Sequence, residues 1–450
     1  MNLTTDPIPK LIRSIAIPAS VGMFFQTMYN FVDTYFGGKV SVEALAALTF
    51  SFPIFFIVLA FGNGLGQATT ALVANAIGEG KSEKGRQLFC QSLLYALMLS
   101  VVLTVGGLLA SPALFRLQGA SGVTLELSLQ YMNVIMAGSV FFLLQTVLNA
   151  ELNAQGNTKI YRNTLIAGFF ANCLLDPWFL YGGLGVPAMG VAGLAWATIA
   201  CQVGACVYMF AHIRRGVFWK EIRRGDFRPH GHTLRQLTAQ AGPAAFNMLT
   251  VALGIFVIQY FIGKFGDAPV AAYGIATRIE QMLLLPTMGL NYAVLSLVGQ
   301  NNGAGRMDRV QETWRTTLRY GITMMVCGGV LLWFTRGPLM AVFTNNQEVI
   351  GRGREYLGIA AVTLCSYVIL FQTVFLLQGL KRPNFAIGIG LYRQILAPVL
   401  VFHLLAVVFG WGLWGIWWGI TIITWSAALI TLAYGRWVLR KACGGRTLSA

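Results

Sequence analysis

The chain has 450 residues, of which 56% are hydrophobic and 11% charged, and its formal net charge is +16. Ordinary soluble domains carry about 25% charged residues, so this chain cannot cover a water-facing surface, and the soluble enzyme and binding-module classes are excluded. The basic residues fall between apolar stretches of roughly 20 to 28 residues, long enough to cross a hydrocarbon core, so the positive balance reads as topology and not as a nucleic-acid surface.

Twelve apolar runs follow in chain order. The first six are Leu11 to Gly37, Leu45 to Gly78, Leu88 to Ala110, Leu125 to Leu152, Ile160 to Tyr181 and Gly190 to Ile213. After a basic loop come Leu237 to Phe265, Val270 to Asn302, Thr313 to Phe334, Ile350 to Gln378, Phe385 to Phe409 and Leu413 to Val438. Each has the length of a membrane-crossing helix, which predicts an all-α membrane protein with twelve transmembrane helices. The first run carries Pro18, Gln26, Asn30 and Asp33 with no small-residue cleavage site after it, and is expected to be a retained span and not a signal peptide. The seven cysteines form no CxxC and suggest neither disulfides nor zinc.

An even number of spans places both termini on one side. The loops on that side, with the termini, hold 24 Lys and Arg against 6 in the opposite loops, so the termini are expected in the cytoplasm. The halves also repeat. A shift of 225 residues superposes Pro18 on Pro243, Tyr35 and Phe36 on Tyr260 and Phe261, Gly38 and Lys39 on Gly263 and Lys264, and Gly78, Gly80 and Lys81 on Gly303, Gly305 and Arg306. Further on, Gln155-Gly156 matches Gln378-Gly379 at a shift of 223. Two six-helix lobes related by a pseudo-two-fold axis are therefore expected: residues 1–213, a basic cytoplasmic linker over 214–236, and residues 237–450. GEGK at Gly78 has the glycines of a phosphate cradle without the spacing, and its echo GAGR at Gly303 makes it a repeated turn.

Ionisable groups within a span are expensive, about 2.5–3.5 kcal/mol each on insertion scales, so each is a functional candidate. Asp33 lies on the first span, Asp176 on the fifth, and Arg278 with Glu280 on the eighth. At the two shifts Asp33 falls opposite Ile258 and Asp176 opposite Val399, so both acids belong to the N-terminal half alone. Asn172 and Asp176 are four apart and share a helical face, as do Tyr29 and Asp33, with Gln26 one turn before. Asn149 and Asn153 repeat the spacing on the fourth span, and Thr198 lies inside the sixth. Two carboxylates, an amide oxygen and a hydroxyl suit a hard monovalent cation such as Na+ at Asp33, Asn172, Asp176 and Thr198. The same acids held together instead suit binding and release of a proton, and the sequence leaves the two uses open. Arg278 and Glu280 are expected to serve a polar network within the C-terminal lobe, and Pro18 to kink or hinge the span that carries Asp33. The 30 Phe and 15 Met suit a pliable cavity for flat lipophilic molecules. No HExxH, Walker loop or GxSxG is present, so neither a hydrolase nor an ATP-driven pump is expected.

The YNFVDTYFGG run after Pro18, LNAQGNTK, NxxxDP on the fifth span, GVAGLAWAT on the sixth, and ATRIEQ with GQNNGAGR in the second half together resemble the multidrug and toxic compound extrusion (MATE) family, in its DinF-like prokaryotic branch. The resemblance covers essentially the whole chain. It implies a non-enzymatic antiporter of the prokaryotic plasma (inner) membrane, monomeric, without a cofactor and surrounded by lipid. Such an antiporter exports organic cations or lipophilic drugs in exchange for H+ or Na+ by alternating access. It also implies that Asp33, Asp176, Asn172 and Thr198 couple the ion, that Gln26, Tyr29, Asn30, Asn149 and Asn153 line the substrate cavity, and that Pro18 bends the first helix. A lipid-linked oligosaccharide flippase of the same superfamily is the alternative, and an arginine-rich cavity would mark it.

Overall fold

The computed structural model describes residues 1–183, 185–216 and 222–443. Residues 217–221 of the expected linker and 444–450 of the C-terminal tail lie outside the described residues. The described residues form thirteen α-helices, a short 3-10 helix at Arg224–Phe227, and no sheet beyond one isolated bridge, Gly183 to Val186, in the turn before the seventh helix. The α-helices are α1 (Ile8–Val40), α2 (Val42–Gly78), α3 (Ser82–Leu117), α4 (Gly122–Ala137), α5 (Ser139–Ala154), α6 (Lys159–Tyr181), α7 (Val191–Ile213), α8 (Gly231–Gly263), α9 (Asp267–Gly303), α10 (Met307–Phe343), α11 (Gln347–Gly379), α12 (Phe385–Val408) and α13 (Gly412–Ala442). Eleven are long and apolar enough to cross a membrane alone, and α4 with α5 supplies a twelfth span, bent by 45°.

That bend departs from the single fourth helix expected from the apolar run. It falls at Gly138, whose missing side chain lets Ile199 of α7 occupy the space a Cβ would need. Small residues at such crossings let helix backbones approach. Most helices extend beyond their apolar runs, α3 beginning at Ser82 and α10 at Met307, because charged residues at the ends of a span remain helical in water. Side-chain caps start two of them. Ser41 accepts from the Ala44 N–H at 3.0 Å, and Asn346 from Glu348 and Val349 at 3.0 and 3.3 Å. In α12, Pro398 has no N–H for the ladder, and beside it the Ala397 N–H reaches back five residues to the Tyr392 carbonyl, a π-helical turn.

The GEGK and GAGR segments are the repeated turn expected. Gly80 and Gly305 both take φ of 70°, with Lys81 N–H bonding the Ala76 carbonyl at 3.0 Å and Arg306 N–H bonding that of Asn301 at 2.8 Å. These are helix C-terminal closures that need a left-handed residue. The next pair of turns corrects the register. Asn157 N–H bonds Leu152 O and Arg382 N–H bonds Leu377 O, both at 2.8 Å, and the left-handed positions are Gly156 and Lys381, with φ of 77° and 59°. The structural repeat thus keeps the 225 shift, the sequence match of Gly156 to Gly379 is out of register by two, and Asp176 falls opposite Val401 instead of Val399.

The chain divides into two compact units, Met1–Ala16 with Phe246–Ala450, and Ile17–Ala245. The division runs through α1 and α8, and not through the linker at 214–236. The first turns of α1 belong with the C-terminal half because Leu3, Ile8, Leu11 and Ile12 are buried against Leu290, Ala293 and Leu297 of α9. Arg309 holds the same segment by donating to the carbonyls of Leu3 (3.4 Å) and Asp6 (2.6 Å). In the other unit the start of α8 packs on α2, where a Cβ on Gly64 would stand 2.7 Å from the Ala241 carbonyl oxygen. The linker is strapped to α3 of that unit, with Arg86 Nε donating to Asp226 Oδ2 at 2.9 Å and Gln91 Nε2 to the Asp226 and Arg228 carbonyls.

Candidate functional site

Within the unit Ile17–Ala245, α1 and α6 approach at Gly22, where a Cβ would stand 3.0 Å from Leu165 and 3.3 Å from the Arg162 backbone. That contact aligns the two helices farther along, where Asp33, Asn172 and Asp176 meet. The Asn172 amide nitrogen donates to Asp33 Oδ1 at 3.0 Å and to Asp176 Oδ1 at 2.8 Å. Asn172 and Asp176 are fully buried, and Asp33 is half-buried. The four-residue spacing on α6 makes the second bond, and the meeting of α1 with α6 makes the first. Two acceptor atoms of the set, Asn172 Oδ1 and Asp176 Oδ2, are buried and make no hydrogen bond.

The other expected members divide. Tyr29 stands one turn from Asp33 with its hydroxyl buried and unbonded, close to Thr198 and Cys201 of α7. Thr198 donates to the Leu194 carbonyl at 3.0 Å and makes no hydrogen bond to either carboxylate. Gln26 accepts from the Tyr161 hydroxyl at 3.4 Å, farther back along both helices, and Asn30 is exposed. Asn149 and Asn153 are buried on α5, which packs on α2, where Thr70 Oγ1 reaches the Ala150 carbonyl at 3.2 Å; neither joins the acids. Pro18 lies inside an α1 that runs unbroken from Ile8 to Val40.

The cation cage expected from Asp33, Asn172, Asp176 and Thr198 is therefore not assembled in this arrangement. The amide turns its nitrogen, and not its oxygen, to both acids, and the Thr198 oxygen serves its own helix. Asp176 Oδ2 lacks a donor in this arrangement, and a protonated acid would supply one. No group of three or more His, Cys, Asp or Glu side chains is placed to hold a metal ion among the described residues.

One residue of this site was not singled out from the sequence. Tyr131 of α4 lies within electrostatic reach of both Asp33 and Asp176. Its signal was available, because Tyr131 and Tyr356 are 225 residues apart and hold the same repeat position. Tyr356 in turn corrects the expected Arg278 and Glu280 network. Arg278 is exposed, while Glu280 is buried and accepts from the Tyr356 hydroxyl at 3.0 Å, its Oε1 unbonded. Two residues on one helix point some 200° apart, so Arg278 leaves the protein interior as Glu280 enters it. The base near Glu280 is Arg393, whose guanidinium lies 5.7 Å from the rings of both Tyr367 and Phe371.

The family model MatE matches residues 18–178 and 243–403, one copy in each half of the sequence. Among characterised relatives, the chain is 26% identical over 408 residues to the FAD transporter of Shewanella oneidensis, covering 88% of this chain and 87% of that protein. It is 24% identical to the multidrug resistance protein MdtK of Edwardsiella ictaluri, covering 96% and 95%. Among solved structures, a MOP superfamily transporter from Pyrococcus furiosus, for which reverse polarity of the binding pocket suggests a different function, superposes with a TM-score of 0.91 at 25% identity over 98% of both chains.

Proposed function

The chain belongs to the MatE family, a family of multi-span membrane transporters, and we propose that within it this protein is an efflux antiporter that exports organic cations or lipophilic xenobiotics in exchange for H+. The observation that carries this reading is the single Asn172 amide held between Asp33 and Asp176 at 3.0 and 2.8 Å. Two carboxylates bridged in this way hold a proton in one state and give it up in another. A cationic drug competes for the same negative charge. Exchange follows if proton and drug favour opposite-facing states of the transporter, each biasing the equilibrium by its difference in affinity. Pro18 is the proposed hinge of the helix that carries Asp33. Both termini and the linker are proposed to face the cytoplasm, on the strength of the uneven distribution of Lys and Arg.

Purified protein in liposomes tests this directly. Ethidium movement is followed under an imposed pH gradient, under a Na+ gradient, and under neither. The reading requires that the pH gradient drive uphill ethidium movement. Uphill movement under Na+ alone would assign the site to the metal ion, and movement only down the ethidium gradient would make the protein a passive, uncoupled pathway and overturn the antiport reading. FAD is followed in parallel because one relative is named a FAD transporter. The two carboxylates disfavour an anionic nucleotide, so ethidium is expected to be the better substrate.

A further inference from the structure

We propose that the hairpin of α10 and α11 carries a binding site for the phosphodiester headgroup of an anionic phospholipid, built on Arg336 and Arg354. A cleft of about 350 Å³ opens there, lined by Trp333, Phe334, Arg336, Gly337, Pro338 and Arg354. The Arg336 guanidinium stacks on Trp333 at 3.9 Å and packs against Gly358, where any side chain would collide with it. Gly358 lies four residues after Arg354 on α11, so the two guanidinium groups share one face and one cleft. Neither has a carboxylate partner among the described residues. The nearest acid in sequence, Glu355, is engaged by Arg352 at 3.5 Å. Two uncompensated like charges around a cavity call for an anion, and guanidinium groups match phosphate oxygens in paired hydrogen bonds.

The surroundings favour a lipid over a soluble phosphate. Phe334 is 78% exposed, and Val330 and Leu331 before it are 54% and 58% exposed, so an unpartnered apolar surface leads along α10 from the cleft. Acyl chains would cover it, whereas inorganic phosphate leaves it bare. Trp333, half-exposed, belongs to the residue type that collects at the headgroup level of a bilayer. The repeat does not duplicate the site. The positions opposite Arg336 and Arg354 are Ser111 and Leu129. The cleft is therefore not a by-product of the fold, and its residues belong to the unit that does not carry Asp33 and Asp176.

The test uses the full-length protein, freed of lipid in neutral detergent and titrated with phosphatidylglycerol, phosphatidylcholine or inorganic phosphate while bound lipid is counted by native mass spectrometry. Wild type is expected to retain phosphatidylglycerol in preference to phosphatidylcholine. Arg336→Gln with Arg354→Gln is expected to weaken phosphatidylglycerol about thirtyfold, from the two charges removed. Arg354→Gln alone leaves the packing of Arg336 on Gly358 in place and is expected to weaken it about fivefold, so it decides the matter if the double variant does not fold. Equal retention of the two lipids by wild type, or unchanged retention by Arg354→Gln, overturns the proposal. Displacement of the lipid by millimolar inorganic phosphate overturns it in favour of a soluble anion.

Discussion

The coupling proposal is most sharply tested at Asp33. Its Oδ1 and that of Asp176 are bonded to the same nitrogen at 3.0 and 2.8 Å. The two oxygens are therefore less than about 6 Å apart, and two full charges at that separation repel by roughly 3 kcal/mol at an effective dielectric constant near 20. Ionising the second acid beside a charged first one is thus about a hundredfold less favourable than ionising it beside a neutral one. In the proposed exchange, that margin ties proton occupancy to the state of the site. Asp33→Asn keeps the shape of the side chain and removes the repulsion, so Asp176 no longer has a charged partner to exchange a proton against. In liposomes under a pH gradient, uphill ethidium movement is expected to fall to background, because the shared proton that drives it is gone. Ethidium binding to the purified variant, read by fluorescence anisotropy, should change by less than about tenfold, since repulsion already holds the wild-type pair near one negative charge and Asp176 retains that charge. Uphill movement at the wild-type rate in Asp33→Asn would refute the reasoning, because no shared proton would then be required.

Substitutions at three further positions follow from the packing. Gly138→Val places a branched side chain where Ile199 sits, and overpacking of this kind typically costs about 1–3 kcal/mol, to be seen as a lower melting midpoint in detergent. Glu280→Leu strips the buried Tyr356 hydroxyl of its acceptor, for a loss of about 1–3 kcal/mol by the same measurement, whereas Glu280→Gln retains an oxygen there and should melt near wild type. Asp226→Ala leaves Arg86, with only 6% of its side chain exposed, without the 2.9 Å partner that straps the linker to α3. Trypsin cleavage at Arg223 and Arg228 is expected to accelerate, with unchanged cleavage indicating that the Gln91 bonds alone hold the segment.

The spans were legible because a hydrocarbon core imposes length and apolarity on every crossing segment, and all twelve apolar runs correspond to spans of the structure. Their ends were less so, since the charged ends of α3 and α10 are helical for reasons that hydropathy does not register. The acid pair was legible for a similar reason: an unneutralised carboxylate within a span is too costly to be incidental, and Asn172 with Asp176 carries helical spacing. What the sequence did not contain was the direction each polar face takes once the helices pack. Asn149 and Asn153 have the same spacing as Asn172 and Asp176, yet they are buried on α5 without a bond to the acids, and Thr198 satisfies its hydroxyl on its own helix. Tyr131 shows the converse, a residue with no local signature that α4 brings to the acids.

The 225-residue register separates what the fold repeats from what one unit carries alone. The helix-closing turns are held in common, down to a left-handed residue at Gly80 and Gly305 and again at Gly156 and Lys381, the last tolerating the strain of a side chain at φ 59°. A tyrosine is also held in common, at Tyr131 and Tyr356. The acids near it are not. One unit brings Asp33 from α1 and Asp176 from α6, where the other has Ile258 and Val401 packed in an apolar cluster. The second unit instead sets Glu280 from α9 against its tyrosine, where the first has Phe55, edge-on to Phe142 at 5.2 Å. Had the acids served helix packing, the repeat would be expected to preserve them along with the turns. Their placement on different helices around the shared phenol argues that each unit's acid answers to a local chemical task. It also singles out the Asn172 amide, which has Ala397 as its counterpart, as the residue that ties the two costly carboxylates together and that the proposed proton exchange requires.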